Sequence, residues 1–149
     1  MNAVEHPAHL ELISQQRYIQ ASMEAVYDYV TQPDRWHEWH PTSLSADTGT
    51  IGTLAAGHRF TETINLLGVR MPMSYRVQVA TPHQEFKTVF TSQAVNGSIH
   101  YLLEPQGSGT LFKRVLSYGT ELQLPTLHKR MIELSNQALD QLKQHLEAS

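Results

Sequence analysis

The chain contains no cysteine. That excludes a disulfide framework, thiol catalysis and every cysteine-ligated zinc or iron–sulfur site. Charge is also scarce. Only 17% of the residues are charged, and 11 Lys and Arg against 14 Asp and Glu leave a formal net charge of -3. Nucleic-acid binding needs clustered positive charge, and the basic residues here are scattered, with Lys113-Arg114 and Lys129-Arg130 as the only adjacent pairs. No window approaches the ~18 apolar residues of a membrane-spanning helix. Met1 to Pro7 has neither a basic start nor an apolar run of signal-peptide length, so a cytoplasmic protein is the expectation. What remains is an ordinary globular balance, with 40% hydrophobic residues in 149, which fits one domain over residues 1–149. Residues 1–10 read as a loose N-terminal segment.

The pattern then divides the chain. Glu11 to Gln20 reads as a first strand. Ser22 is placed as a helix N-cap, with Glu24 in the first turn where the helix dipole favours a carboxylate. Met23, Val26, Tyr27 and Val30 recur at helical spacing. Pro33 closes this helix and opens a second short one over Asp34 to Trp39. Ser43 to Gly57, with Gly49, Gly52 and Gly57, has the composition of a loop. From His58 the period becomes two. Phe60, Glu62, Ile64 and Leu66 share one side of a strand. Met71, Met73, Tyr75, Val77 and Val79 share one side of the next. Phe86 to Val95 follows, and Asn96-Gly97 is a hairpin signal. Ser98 to Glu104 leads to a turn at Pro105 to Gly109, and Thr110 to Leu122 is the last strand. Pro125 to Glu147 is a long helix whose apolar stripe runs Leu124, Leu127, Met131, Leu134, Ala138 and Leu142, broadened by Leu139 and Leu146. Short turns make the sheet antiparallel. The fold class is therefore α+β, a sheet with helices on one face and a cleft between them.

Three stretches carry a resemblance to a known family. Ile19 to Pro41 reads strand end, capped helix and Trp-x-x-Trp turn. Gly107-Ser108-Gly109-Thr110 leads into the aromatic-rich strand Phe112 to Tyr118. The closing helix ends Ala138 to Lys143. From Glu11 onward the chain resembles the START-like or Bet v 1-like (SRPBCC) superfamily, in its bacterial polyketide cyclase/dehydrase and lipid-transport branch. The resemblance implies a helix-grip fold, with about seven curved antiparallel strands wrapped around the C-terminal helix. It implies a small hydrophobic ligand (a lipid, polyketide or aromatic compound). The residues show no iron–sulfur or mononuclear-iron ligand set, so no cofactor is expected, and the charge and hydropathy above lead to the expectation of no nucleic acid and no membrane insertion. The resemblance leaves open a homodimer, a cyclase or dehydratase reaction, and a role as an interaction or chaperone-activator module. It assigns no catalytic residue.

The candidate ligand-binding residues follow from parity. Trp36 and Trp39 read either as core or as a gate to the pocket. His37 and His40 lack a third metal ligand, so no metal is expected and both read as surface residues. Glu62 falls in register with Phe60 and Ile64, and Arg114 with Phe112 and Leu116. Buried charge is costly unless paired, so each is either a structural ion-pair member or a polar anchor, with the other as its most plausible partner. Tyr75, Tyr101 and Tyr118 fall on inward sides. With Met73, Phe90 and Met131 they are expected to line one cavity of ~300–1,000 Å³. The polar candidates look scattered, without the convergent set an acid/base enzyme needs, which favours binding over catalysis.

Overall fold

The computed structural model describes residues 10–121 and 126–148. Strand β1 (Glu11–Ile19) leads into α1 (Met23–Val30) and a 3-10 helix (Pro33–Glu38). Then come β2 (Ser43–Asp47), β3 (Arg59–Leu66), β4 (Val69–Thr81), β5 (Glu85–Thr91), β6 (Val95–Gln106), β7 (Gly109–Thr120) and α2 (Leu127–Glu147). The strands form one antiparallel sheet in the order β1-β7-β6-β5-β4-β3-β2. This is the helix-grip arrangement expected from the resemblance. Pro125, expected in the first turn of the long helix, lies outside the described residues, as do Leu122 and Leu124. Among the described residues, no helix is long and apolar enough to cross a membrane.

Ser22 caps α1 as its residue type requires, its hydroxyl accepting from the Ala25 N–H at 3.0 Å. The Trp36 indole N–H donates to the Val30 carbonyl at 2.8 Å, which folds the 3-10 helix back on the end of α1. Polar and ring contacts along its length hold α2 to β1 and α1. Near its middle, Arg17 of β1 reaches Asp140 at 2.9 Å and Asn136 at 3.0 Å. At its C-terminal end the His145 ring stacks on Tyr29 of α1 at 4.8 Å. Leu127, Ala138, Leu139 and Leu142 are buried against the sheet.

Two local expectations are corrected. Ser43 to Asp47 is not loop but the edge strand β2. It pairs with β3 alone through a bulged register, so it needs no alternating apolar run. Asn96-Gly97 does not make the hairpin turn. Both residues lie within β6, and the chain reverses earlier, at Ser92 to Ala94. There the Ser92 hydroxyl accepts from the Val95 N–H at 2.9 Å and donates to the Val95 carbonyl at 2.7 Å. Gly97 serves instead a close approach of strands, since a Cβ there would stand 1.9 Å from the Ser117 carbonyl oxygen of β7.

Candidate functional site

Period-two alternation sends Phe60, Glu62, Ile64 and Leu66 of β3 inward, along with Met71, Met73, Tyr75 and Val77 of β4. The same parity buries Phe112, Arg114, Leu116 and Tyr118 of β7. These faces and the inner side of α2 do not close completely. They leave a cavity of about 80 Å³. That is well below the size expected, because the rings of Trp36, Tyr75, Phe90 and Tyr101 and the Arg114 side chain occupy the space between sheet and helix.

The cavity is built in two tiers. Glu62, Tyr75, Tyr101 and Arg114 form a polar tier. Two residues further along three of those strands stand Ile64, Ile99 and Leu116, all on the wall of the same cavity. Met73, Phe90, Val95 and Leu66 add to the apolar side. Met131 and Leu134 of α2 complete it, and they stay half-buried because they border open space rather than packed sheet.

The polar tier is bonded internally. The Tyr75 hydroxyl donates to Glu62 Oε1 at 2.5 Å. Burial pushes the Glu62 carboxyl above its ordinary range, against the opposing pull of the Ser43 and Tyr75 hydroxyls and the Arg114 charge. Burial also drives the Tyr75 phenol well above its ordinary value, with the Glu62 charge acting in the same direction. Arg114 is only 5% exposed. It donates from Nη1 to the Ser135 hydroxyl at 3.0 Å, and its Nη2 stands 3.3 Å from His40 Nε2. The other face of that imidazole meets Thr42, with Nδ1 3.0 Å from the hydroxyl oxygen. Desolvation, and then the adjacent guanidinium, hold His40 well below its ordinary pKa. Burial lifts the Tyr101 phenol to about 12, with Arg114 pulling the other way. The buried Arg114 Nε has no hydrogen-bond partner among the described residues.

Of the residues anticipated from sequence, Trp36, Glu62, Met73, Tyr75, Phe90, Tyr101, Arg114 and Met131 line this cavity. Three do not. Trp39 is 1% exposed and packs behind the wall, its ring 6.4 Å from that of Tyr101. Phe60 lies flat against the back of Tyr75, with ring centroids 4.6 Å apart. Tyr118 continues β7 beyond the cavity, where its hydroxyl is 2.8 Å from His128 Nδ1. Each has the expected parity, but the inward face of a strand is longer than the cavity it borders. The pairing expected between Glu62 and Arg114 is also corrected: each has neutral hydrogen-bond partners instead. Nor are the polar candidates scattered, since β3, β4, β6 and β7 bring four of them to the lining of one cavity.

Pattern reading overlooks His40, Thr42 and Ser135. His40 is not a surface residue. It follows the 3-10 helix and turns into the cavity, while His37 on that helix is exposed. Ser135 leaves a trace, being a polar residue at a buried position beside the apolar stripe of α2. Among the described residues, no group of three or more His, Asp or Glu side chains is placed to hold a metal ion.

Comparison with known proteins agrees with this architecture. A family model described as polyketide cyclase/dehydrase and lipid transport matches residues 12–147. Among curated proteins none matches the sequence. The Zhui aromatase/cyclase from a Streptomyces species superposes with a TM-score of 0.77 at 11% identity, over 93% of this chain and 94% of that one. A protein from Thermus thermophilus gives 0.77 at 16% identity, over 93% and 98%. A START superfamily protein from Mycobacterium smegmatis gives 0.71 at 16% identity, over 92% and 94%. At these identities the likeness is one of fold.

Proposed function

Since the chain belongs to the polyketide cyclase/dehydrase and lipid transport family, we propose that it binds a small, mostly apolar molecule between the sheet and α2, with an oxygen of the ligand turned to the polar tier. The observation that carries this reading is the two-tier cavity itself. A structural core would bury Met131 and Leu134 fully, whereas both are left half-buried at an open space that also reaches Arg114 and Glu62. Clefts of mainly apolar lining with a few fixed polar groups are the usual form of a small-molecule site. The size of the cavity favours a compact ring system over an extended acyl chain. Binding is read as taking place in the cytoplasm.

The test uses methyl-labelled methionine and toluene as a compact apolar probe. Met73 and Met131 line the cavity, and Met23 of α1 does not. Saturable shifts of the Met73 and Met131 methyl resonances, with Met23 unmoved, are expected. Absence of any shift at Met73 and Met131 would overturn the reading.

A second reading, acid/base chemistry of the cyclase or dehydratase kind, is favoured by one contact. The Tyr75–Glu62 hydrogen bond puts a buried acidic pair in the same tier as a guanidinium able to polarise a carbonyl. On this reading Glu62→Gln abolishes turnover of a polyketide-like substrate, with a far smaller effect on its affinity.

A further inference from the structure

Resting on the binding site proposed above, we propose that the ligand is a monoanion, a compact aromatic or alicyclic carboxylate or phenolate, whose oxygens neutralise Arg114. A guanidinium withdrawn from water is costly unless a counter-charge compensates it. Arg114 is buried at 5% exposure, and it is bonded to the Ser135 hydroxyl and the His40 imidazole, both uncharged. The nearby Tyr101 is also neutral, its phenol held at about 12. The one carboxylate in the tier, Glu62, commits Oε1 to Tyr75. Its burial favours the uncharged acid, against the pull of the Arg114 charge.

The guanidinium also has donating capacity to spare. It carries five N–H groups in a rigid fork, and Nε has no partner among the described residues. Carboxylates engage such a fork through two parallel hydrogen bonds. Ile99 and Leu116 stand two residues along β6 and β7 from Tyr101 and Arg114, so an anion held at the arginine would place its hydrocarbon ring against them. No bond is made or broken in this proposal.

The test compares benzoate with benzamide, which share shape and differ in charge, by calorimetric titration of the intact chain at pH 7.5. Benzoate should bind wild type about tenfold or more tightly than benzamide, as expected for hydrogen bonds between charged groups. In Arg114→Met the ratio should fall to about one. Equal affinities in wild type, or tighter binding of benzamide, would overturn the monoanion while leaving the cavity a binding site. Binding of toluene with neither benzoate nor benzamide bound would do the same. Failure of all three probes would remove the binding site itself. Should Arg114→Met not fold, the wild-type ratio decides. Arg114→Lys, which keeps the charge and loses the fork, should then retain a preference for benzoate, and its loss of that preference together with a wild-type ratio of one would overturn the proposal.

Discussion

Arg114 Nη2 lies 3.3 Å from His40 Nε2, and this contact sets a fixed positive charge against the imidazole. A guanidinium can only donate. At the other ring nitrogen, Nδ1, the Thr42 backbone N–H donates at 3.3 Å and the Thr42 hydroxyl stands 3.0 Å away, so both nitrogens meet donors and the ring is held uncharged. An imidazolium would turn an N–H toward the guanidinium and place two positive charges in contact.

The pH dependence at His40 follows directly. Its folded pKa is depressed well below the ordinary value of 6.5. The stability this contributes is fully present above about pH 6.5 and is lost as pH falls below it, at up to about 1.4 kcal/mol per pH unit. Urea unfolding at pH 7.5 and 5.5 should show a smaller loss for His40→Gln than for wild type. Equal losses would place the imidazole in solvent.

Glu62 acts with the opposite sign. Its folded pKa is raised above the ordinary value of 4.5, so its neutral form is favoured by folding. That contribution is present below about pH 4.5 and declines as pH rises through the folded value. Glu62→Gln retains an acceptor for Tyr75 but cannot ionise. Between pH 5 and 8 the variant should lose less stability than wild type. A parallel pair of pH profiles would count against a buried carboxyl.

The helix makes a graded prediction. Leu139 and Leu142 are both 0% exposed, so truncation of either to alanine should cost about 2–5 kcal/mol. Leu134 borders the cavity and is half-buried, so Leu134→Ala should cost clearly less. The order of melting temperatures checks this. A Leu134→Ala loss equal to that of Leu142→Ala would mean that no open space lies beneath α2.

Gly97→Ala tests the close approach of β6 to β7. The added methyl group would meet the Ser117 carbonyl oxygen at 1.9 Å, and backbone cannot yield as a flexible side chain can. Overpacking of this kind costs about 1–3 kcal/mol or more. A variant as stable as wild type in urea would show that the two strands separate there without penalty.

Much of this is legible in sequence, for reasons that differ by element. β3, β4 and β7 alternate strictly, so parity puts Glu62, Tyr75 and Arg114 on the inner face without knowledge of strand order. Parity cannot say which part of an inner face borders open space, which is why Trp39, Phe60 and Tyr118 fall in with the cavity residues on pattern alone. β2 gives no such signal, because an edge strand of five residues with one neighbour needs little apolar content. Asn96-Gly97 carries two signals in one dipeptide, and strand crowding against Ser117 prevails over turn formation. His40 is invisible to pattern because its direction is set by how the chain leaves the 3-10 helix. No period describes that.

The unequal placement of Trp36 and Trp39 has a practical consequence. They are the only two tryptophans in the chain; the first lines the cavity and the second is sealed behind it. Intrinsic fluorescence therefore divides into a component that feels whatever enters and one that stays nearly constant. Replacing Trp39 with phenylalanine would leave a protein whose emission reports occupancy without a dye, and replacing Trp36 would supply its control.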